Sequence, residues 1–195
     1  MARALGKEHL RLAAFDDGPF TRRHRWAPLA GVVCSTPDTL EVLRLERVRV
    51  DGMDATDAIL RLWRTTGFRE GPRAILLDGI SYGGFNLVDL DRLHRRTGRP
   101  VVSLTARRPD YGAIEAALRK YFPRTFRERW RRVRSHPVFA VRVGPARRWA
   151  AAVGCRRVDA ARLIARSTMR GAWPEPLRLA RLLARAARAV SSQSL

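Results

Sequence analysis

Leu10 to Phe15 is an apolar run that stops at Asp16-Asp17-Gly18-Pro19, where Gly and Pro end a strand and leave two carboxylates at its carboxyl end. Pro28 to Cys34 predicts a second strand. Leu40 to Val50 alternates, with Leu43, Leu45, Val48 and Val50 among Arg44, Glu46, Arg47 and Arg49, the pattern of a longer, half-exposed strand. The short connections favour an antiparallel meander of these three. Past Asp51-Gly52 the period lengthens. Ala55, Ile59, Leu62 and Trp63 recur at helical spacing behind a predicted N-cap at Asp54, and Gly67 ends the helix.

Ala74 to Leu77 is wholly apolar and ends in Asp78-Gly79, as a central strand covered on both faces does. A helix is predicted over Leu87–Thr97, a buried strand over Pro100–Leu104 and a helix over Tyr111–Phe122. Beyond these come a basic helix over Arg124–Arg134, a hairpin of Val138–Val143 with Arg148–Val153 around Gly144-Pro145, and helices over Val158–Met169 and Leu177–Val190. Three meandering strands followed by alternating helices and strands predict an α/β fold: a five-stranded mixed sheet in which parallel strands follow the meander, with helices on both faces. One domain over residues 1–190 is expected, with residues 191–195 as a loose tail.

Composition narrows the class. With 46% hydrophobic residues in 195, the chain has enough apolar material for a core, which excludes collagen-like and wholly disordered classes. Cys34 and Cys155 are isolated, residues 1–11 lack a signal-like apolar run, and no window approaches the roughly 18 apolar residues of a membrane span. A cytoplasmic location is expected. The net charge of +21 is unevenly distributed: residues 1–118 hold 19 basic and 15 acidic side chains, whereas residues 119–195 hold 20 and 3. Lys7 and Lys120 are the only lysines, so the excess is arginine, suited to bidentate phosphate contacts. A coding bias toward Arg accounts for the choice of Arg over Lys, but not for acids missing from one end. Arg178, Arg181, Arg185 and Arg188 form one stripe of the last helix, opposite Leu179 and Leu183. Nucleic-acid phosphate is the natural partner for such a stripe, ahead of an anionic membrane surface.

The candidate chemistry is acidic. Asp16 and Asp78 follow apolar strands, where sites in open α/β sheets are built. If the strands are parallel neighbours, the two carboxylates repel unless a hard divalent cation, Mg²⁺ or Mn²⁺, lies between them. Asp-Gly also serves simply as a turn, so each acid taken singly has a plain structural use. A third acid comes from Asp51 or Asp54, and three such carboxylates suit metal-assisted phosphodiester hydrolysis. Asp78-Gly79-Ile80-Ser81-Tyr82-Gly83-Gly84-Phe85-Asn86 is a glycine-rich loop without P-loop spacing, able either to admit a phosphate backbone or to turn tightly. His9, His24, His94 and His136 form no ligand spacing.

Four ordered segments carry a resemblance: Ala14 to Phe20, Val48 to Thr56, Leu77 to Asn86 and Pro174 to Ala180. Over roughly residues 8–190 the chain resembles a largely archaeal family known as domain of unknown function 99. That family is in turn similar to endonuclease V, a metal-dependent nuclease of the ribonuclease H-like fold that cuts near deaminated bases such as inosine. The resemblance implies a ribonuclease H-like sheet with the first and fourth strands adjacent. It also implies Asp16, Asp78 and Asp54, or Asp51 in its place, as catalytic metal ligands. Asp17, Gly79, Gly83, Gly84 and Asn86 would lie near the site. Arg107 or Arg108 would supply the basic residue after the fifth strand, and Arg178, Arg181 and Arg185 would hold the nucleic acid. No segment matches the Pro-Tyr-Ile-Pro wedge of endonuclease V, and Gly83-Gly84-Phe85 stands in place of its His-Pro-Arg. The leading expectation is a Mg²⁺- or Mn²⁺-dependent endonuclease acting on DNA or RNA. The alternative is a non-catalytic nucleic-acid-binding protein of the same fold.

Overall fold

The apolar run ahead of Asp16 becomes an interior strand because both of its faces are covered. In the structure, a computed structural model describing residues 10–35, 39–69 and 71–192, β1 (Arg11–Asp17) pairs antiparallel with β2 (Trp26–Ser35), which pairs antiparallel with β3 (Thr39–Arg49). After α1 (Ala55–Trp63), β4 (Ala74–Asp78) returns to pair parallel with β1 on its other side. A two-stranded hairpin, β5 (Ser81–Tyr82) and β6 (Asn86–Leu87), precedes α2 (Leu90–Thr97). β7 (Val101–Thr105) then extends the sheet, parallel to β4.

α3 (Tyr111–Tyr121) and α4 (Phe126–Arg134) follow, then β8 (Phe139–Val143), β9 (Ala146–Val153), α5 (Arg157–Arg166) and α6 (Glu175–Ser192). The sheet order is β3-β2-β1-β4-β7-β9-β8. The expected five-strand core is therefore present as β3-β2-β1-β4-β7, but the sheet has seven strands. The hairpin foreseen around Gly144-Pro145 adds β9 antiparallel to β7 with β8 outside it, a long-range pairing that local periodicity does not encode.

Alternation along the strands sorts side chains to two cores. Ala13 and Phe15 of β1, with Ile75 and Leu77 of β4, face α1 and α2. Leu12 and Ala14, with Leu76, Val102 and Leu104, face α5 and α6. A third, smaller cluster joins Leu87 of the hairpin to Leu118 and Val133 of α3 and α4. The helix expected from Leu87 starts instead at Leu90, because Asp89 caps it by accepting the Arg92 N–H at 2.8 Å while Leu87 belongs to the hairpin. Among the described residues no helix is long and apolar enough to cross a membrane. Of the expected tail, residues 191 and 192 complete α6, and residues 193–195 lie outside the described residues, as do residues 1–9.

Candidate active site

The parallel register that sets Phe15 beside Leu77 brings the next residues, Asp16 and Asp78, to adjacent strand ends. Period-2 alternation places Asp16 and Asp78 on the face of Leu76 and Ala14, under α6, and Asp17 on the opposite face. Asp16, Asp17 and Asp78 line one cleft of about 390 Å³ with Gly18, Pro19, Arg181 and Arg185. Arg181, on α6, reaches both carboxylates: its Nε donates to Asp16 Oδ2 at 3.2 Å and its Nη2 to Asp78 Oδ2. Its guanidinium lies 5.0 Å from the centre of the Trp173 ring.

Asp16 is only 4% exposed. Burial, then the neighbouring Asp78 carboxylate, push its pKa up to about 8, against the attraction of Arg181. Burial also raises Asp17, to about 6, opposed by the Gly83 N–H, which donates to Asp17 Oδ2 at 2.7 Å. Tyr82, fully buried beneath them, donates its hydroxyl to Phe15 O at 2.9 Å. Burial and the three carboxylates lift its pKa well above the ordinary value, so it stays a neutral donor.

Asp51 and Asp54 do not line this cleft. Asp51 is the one described non-glycine residue at positive φ (55°), a conformation Asp tolerates, and its carboxylate accepts the Phe85 N–H at 2.8 Å. Asp54 sits at the start of α1 as expected, yet makes no side-chain cap. Its Oδ1 accepts from Asn86 Nδ2 at 2.6 Å and from the Arg49 N–H at 3.2 Å. The capping bond to Ala55 N–H comes from buried Asn86 Oδ1 at 2.8 Å. These two acids therefore brace the junction of β3, α1 and the β5–β6 hairpin, and the third acid in the cleft is Asp17. Gly83 and Gly84, both at positive φ, shape the hairpin turn that joins the two groups.

Among the described residues no three His, Cys, Asp or Glu side chains form a ready metal cage. A buried and a half-buried carboxylate that repel each other are nonetheless a donor set suited to Mg²⁺ or Mn²⁺, which bind through one or two carboxylates and complete their coordination with water and substrate phosphate. Burial and carboxylate repulsion raise Asp16, and a divalent cation relieves both.

A cavity of about 540 Å³ adjoins the cleft and shares Asp78 and Arg181 with it. Ile80, Phe85, Leu90 and Tyr111 give it apolar walls, and Gly79, Arg107 and Arg108 also line it. Two of its lining side chains carry a buried donor without a partner among the described residues, Arg132 Nε and Trp173 Nε1. Arg178 lines neither space and pairs with Glu175 at 2.5 Å. Sequence reasoning did not single out Trp173 or Arg132 for binding. Their only local signals were Trp173-Pro174 between helices and one arginine among many.

The mixed sheet with helices on its faces is similar in fold to endonuclease V. Endonuclease V of Ciona intestinalis, solved in complex with a DNA 24-mer containing an inosine followed by a ribo-adenosine, superposes with a TM-score of 0.63 at 14% identity. The match covers 94% of this chain and 87% of that one. Residues 8–188 match the endonuclease dU family, and the chain belongs to it. The UPF0215 protein of Thermococcus kodakarensis is 42% identical over 186 residues, 92% of this chain and 93% of its own. A protein of unknown function from Archaeoglobus fulgidus, known by crystal structure, is 31% identical with a TM-score of 0.81, covering 91% of this chain and 98% of that one.

Proposed function

We propose that this protein is a Mg²⁺- or Mn²⁺-dependent endonuclease that cuts DNA beside a deoxyuridine. The observation that carries the reading is a carboxylate pair at adjacent strand ends, next to a cavity of base-accepting size. Asp16 and Asp78 would hold the metal, which when bound supplies an activated water and neutralises charge on the phosphate. Arg181 and Arg185 stand in the cleft wall and would contact phosphate oxygens entering it. The apolar walls of the cavity would cover the faces of an extruded base and exclude water. Arg132 and Trp173 stand in the wall of the same cavity. The family's name, endonuclease dU, supports this choice of base.

One observation favours the non-catalytic reading: Arg181 already forms ion pairs with both carboxylates, as a binding-only descendant of the fold would use it. A cleavage panel separates the two. Labelled duplexes bearing uracil, inosine or no modification, and the matching RNAs, are incubated with Mg²⁺, Mn²⁺ or EDTA. The expected result is cutting of the uracil duplex with metal only, reduced about 100-fold or more by Asp16→Asn or Asp78→Asn. Binding without any metal-dependent cutting would establish the alternative.

A further inference from the structure

The arginines at the carboxyl edge of the sheet continue past the cleft. α6 carries Arg181 at the carboxylates, Arg185 in the cleft wall, and Arg188, which donates to His24 Nε2 in the turn between β1 and β2. Just beyond that turn, Trp26 opens β2 and stands opposite Arg49 of β3. The guanidinium carbons of Arg47, Arg49 and Arg25 lie 4.8, 5.5 and 5.7 Å from the centre of the Trp26 ring. All three arginines are exposed, and among the described residues none is ion-paired with a carboxylate.

Three like charges around one ring repel one another and gain little until an anion arrives. The flat aromatic face holds guanidinium groups in place and reduces the entropy lost when they grip phosphate. Arginine on an exposed edge strand also discourages strand pairing, and β3 is such an edge. That role needs neither the tryptophan nor the third arginine from outside the strand.

We propose that Arg25, Arg47 and Arg49 around Trp26 form a second docking surface, one that grips the sugar-phosphate backbone of the duplex flank leaving the cleft on the β3 side. Trp26 lies four residues beyond Ala30, the register partner of Asp16, and one strand across. That places it about 14 Å from Asp16 at ordinary strand dimensions. Such a separation is the axial rise of about four base pairs. The proposal rests on the nuclease reading only for which phosphate occupies the cleft; the docking itself does not need cutting.

The test is equilibrium anisotropy in EDTA, where nothing is cut, with uracil duplexes whose flank is lengthened on one side at a time, at several salt concentrations. The triple variant Arg25→Gln/Arg47→Gln/Arg49→Gln is compared with wild type and with an equal-charge control, Arg142→Gln/Arg157→Gln/Arg170→Gln. Matched thermal midpoints verify folding.

The triple variant is expected to lower the slope of log K against log salt by about 2 to 3, at about 0.9 per phosphate contact. It should also lose the affinity that wild type gains when one flank grows from about three to about eight base pairs, while the control keeps both. An unchanged slope, an equal loss in the control, or indifference to flank length would overturn the proposal. So would self-association of the triple variant with unchanged DNA binding, which would make the arginines edge guards. Failure of the nuclease reading would appear separately, as absence of cutting by wild type in Mg²⁺ or Mn²⁺.

Discussion

Asp16 and Asp17 are neighbours in sequence with opposite surroundings, because a strand points successive side chains to opposite faces. Asp16 faces α6 and Arg181, whereas Asp17 faces the glycine hairpin and accepts the Gly83 N–H. The burial that makes Asp16 a plausible metal ligand also gives it a measurable titration. Its pKa is about 8 in the folded chain against 3.8 for a free carboxyl. The folded state therefore binds the proton more tightly than the unfolded state. The resulting stabilisation is full below about pH 4 and is lost as pH rises toward 8. Asp17 adds a smaller contribution of the same sign between about pH 4 and 6. In EDTA, the thermal midpoint of the wild-type protein is expected to fall from pH 5 to pH 9, and that of Asp16→Asn to fall less. Parallel curves would show that Asp16 is not the buried acid described.

At the scale of elements, the site depends on how closely α6 crosses the strand ends. A Cβ built on Gly18 would stand 2.3 Å from the Ala184 carbonyl oxygen and 2.6 Å from a Pro28 ring carbon. Neither the helix backbone nor the proline ring yields easily, so Gly18→Ala is expected to push α6 off the β1–β2 end and cost about 1–3 kcal/mol in denaturant unfolding. It should also weaken metal-dependent cutting by misplacing Arg181; an unchanged midpoint would contradict the packing. Most elements were legible from periodicity, and the exceptions have physical causes. Leu87 and Val88 extend the helical pattern of Leu90 and Leu93, so the β5–β6 hairpin was hidden until Asp89 showed its capping bond. Asp54 has the spacing of a helix cap. The position is right, but Asn86, 31 residues from Ala55, supplies the bond. Such a substitution is invisible to local spacing.

Across the whole molecule, the division of charge along the sequence is not the division in space. The nearly neutral first part contributes Arg25, Arg47 and Arg49 at the same sheet edge as the arginine stripe of α6, because the meander and the final helix meet there. Asp16 and Asp78 were legible because Gly and Pro end their strands and parallel pairing aligns the ends. The third acid was not legible, since the positive φ of Asp51 and the Asn86 network decide where Asp51 and Asp54 point. That difference between sequence spacing and folded geometry makes the central claim directly measurable. Calorimetric titration of Mn²⁺ into metal-free protein is expected to show binding in wild type and in Asp51→Asn, whose amide oxygen can still accept the Phe85 N–H. The same titration should show loss of about tenfold or more in affinity for Asp16→Asn/Asp78→Asn. Wild-type affinity in that double variant, or loss of binding in Asp51→Asn alone, would contradict the account.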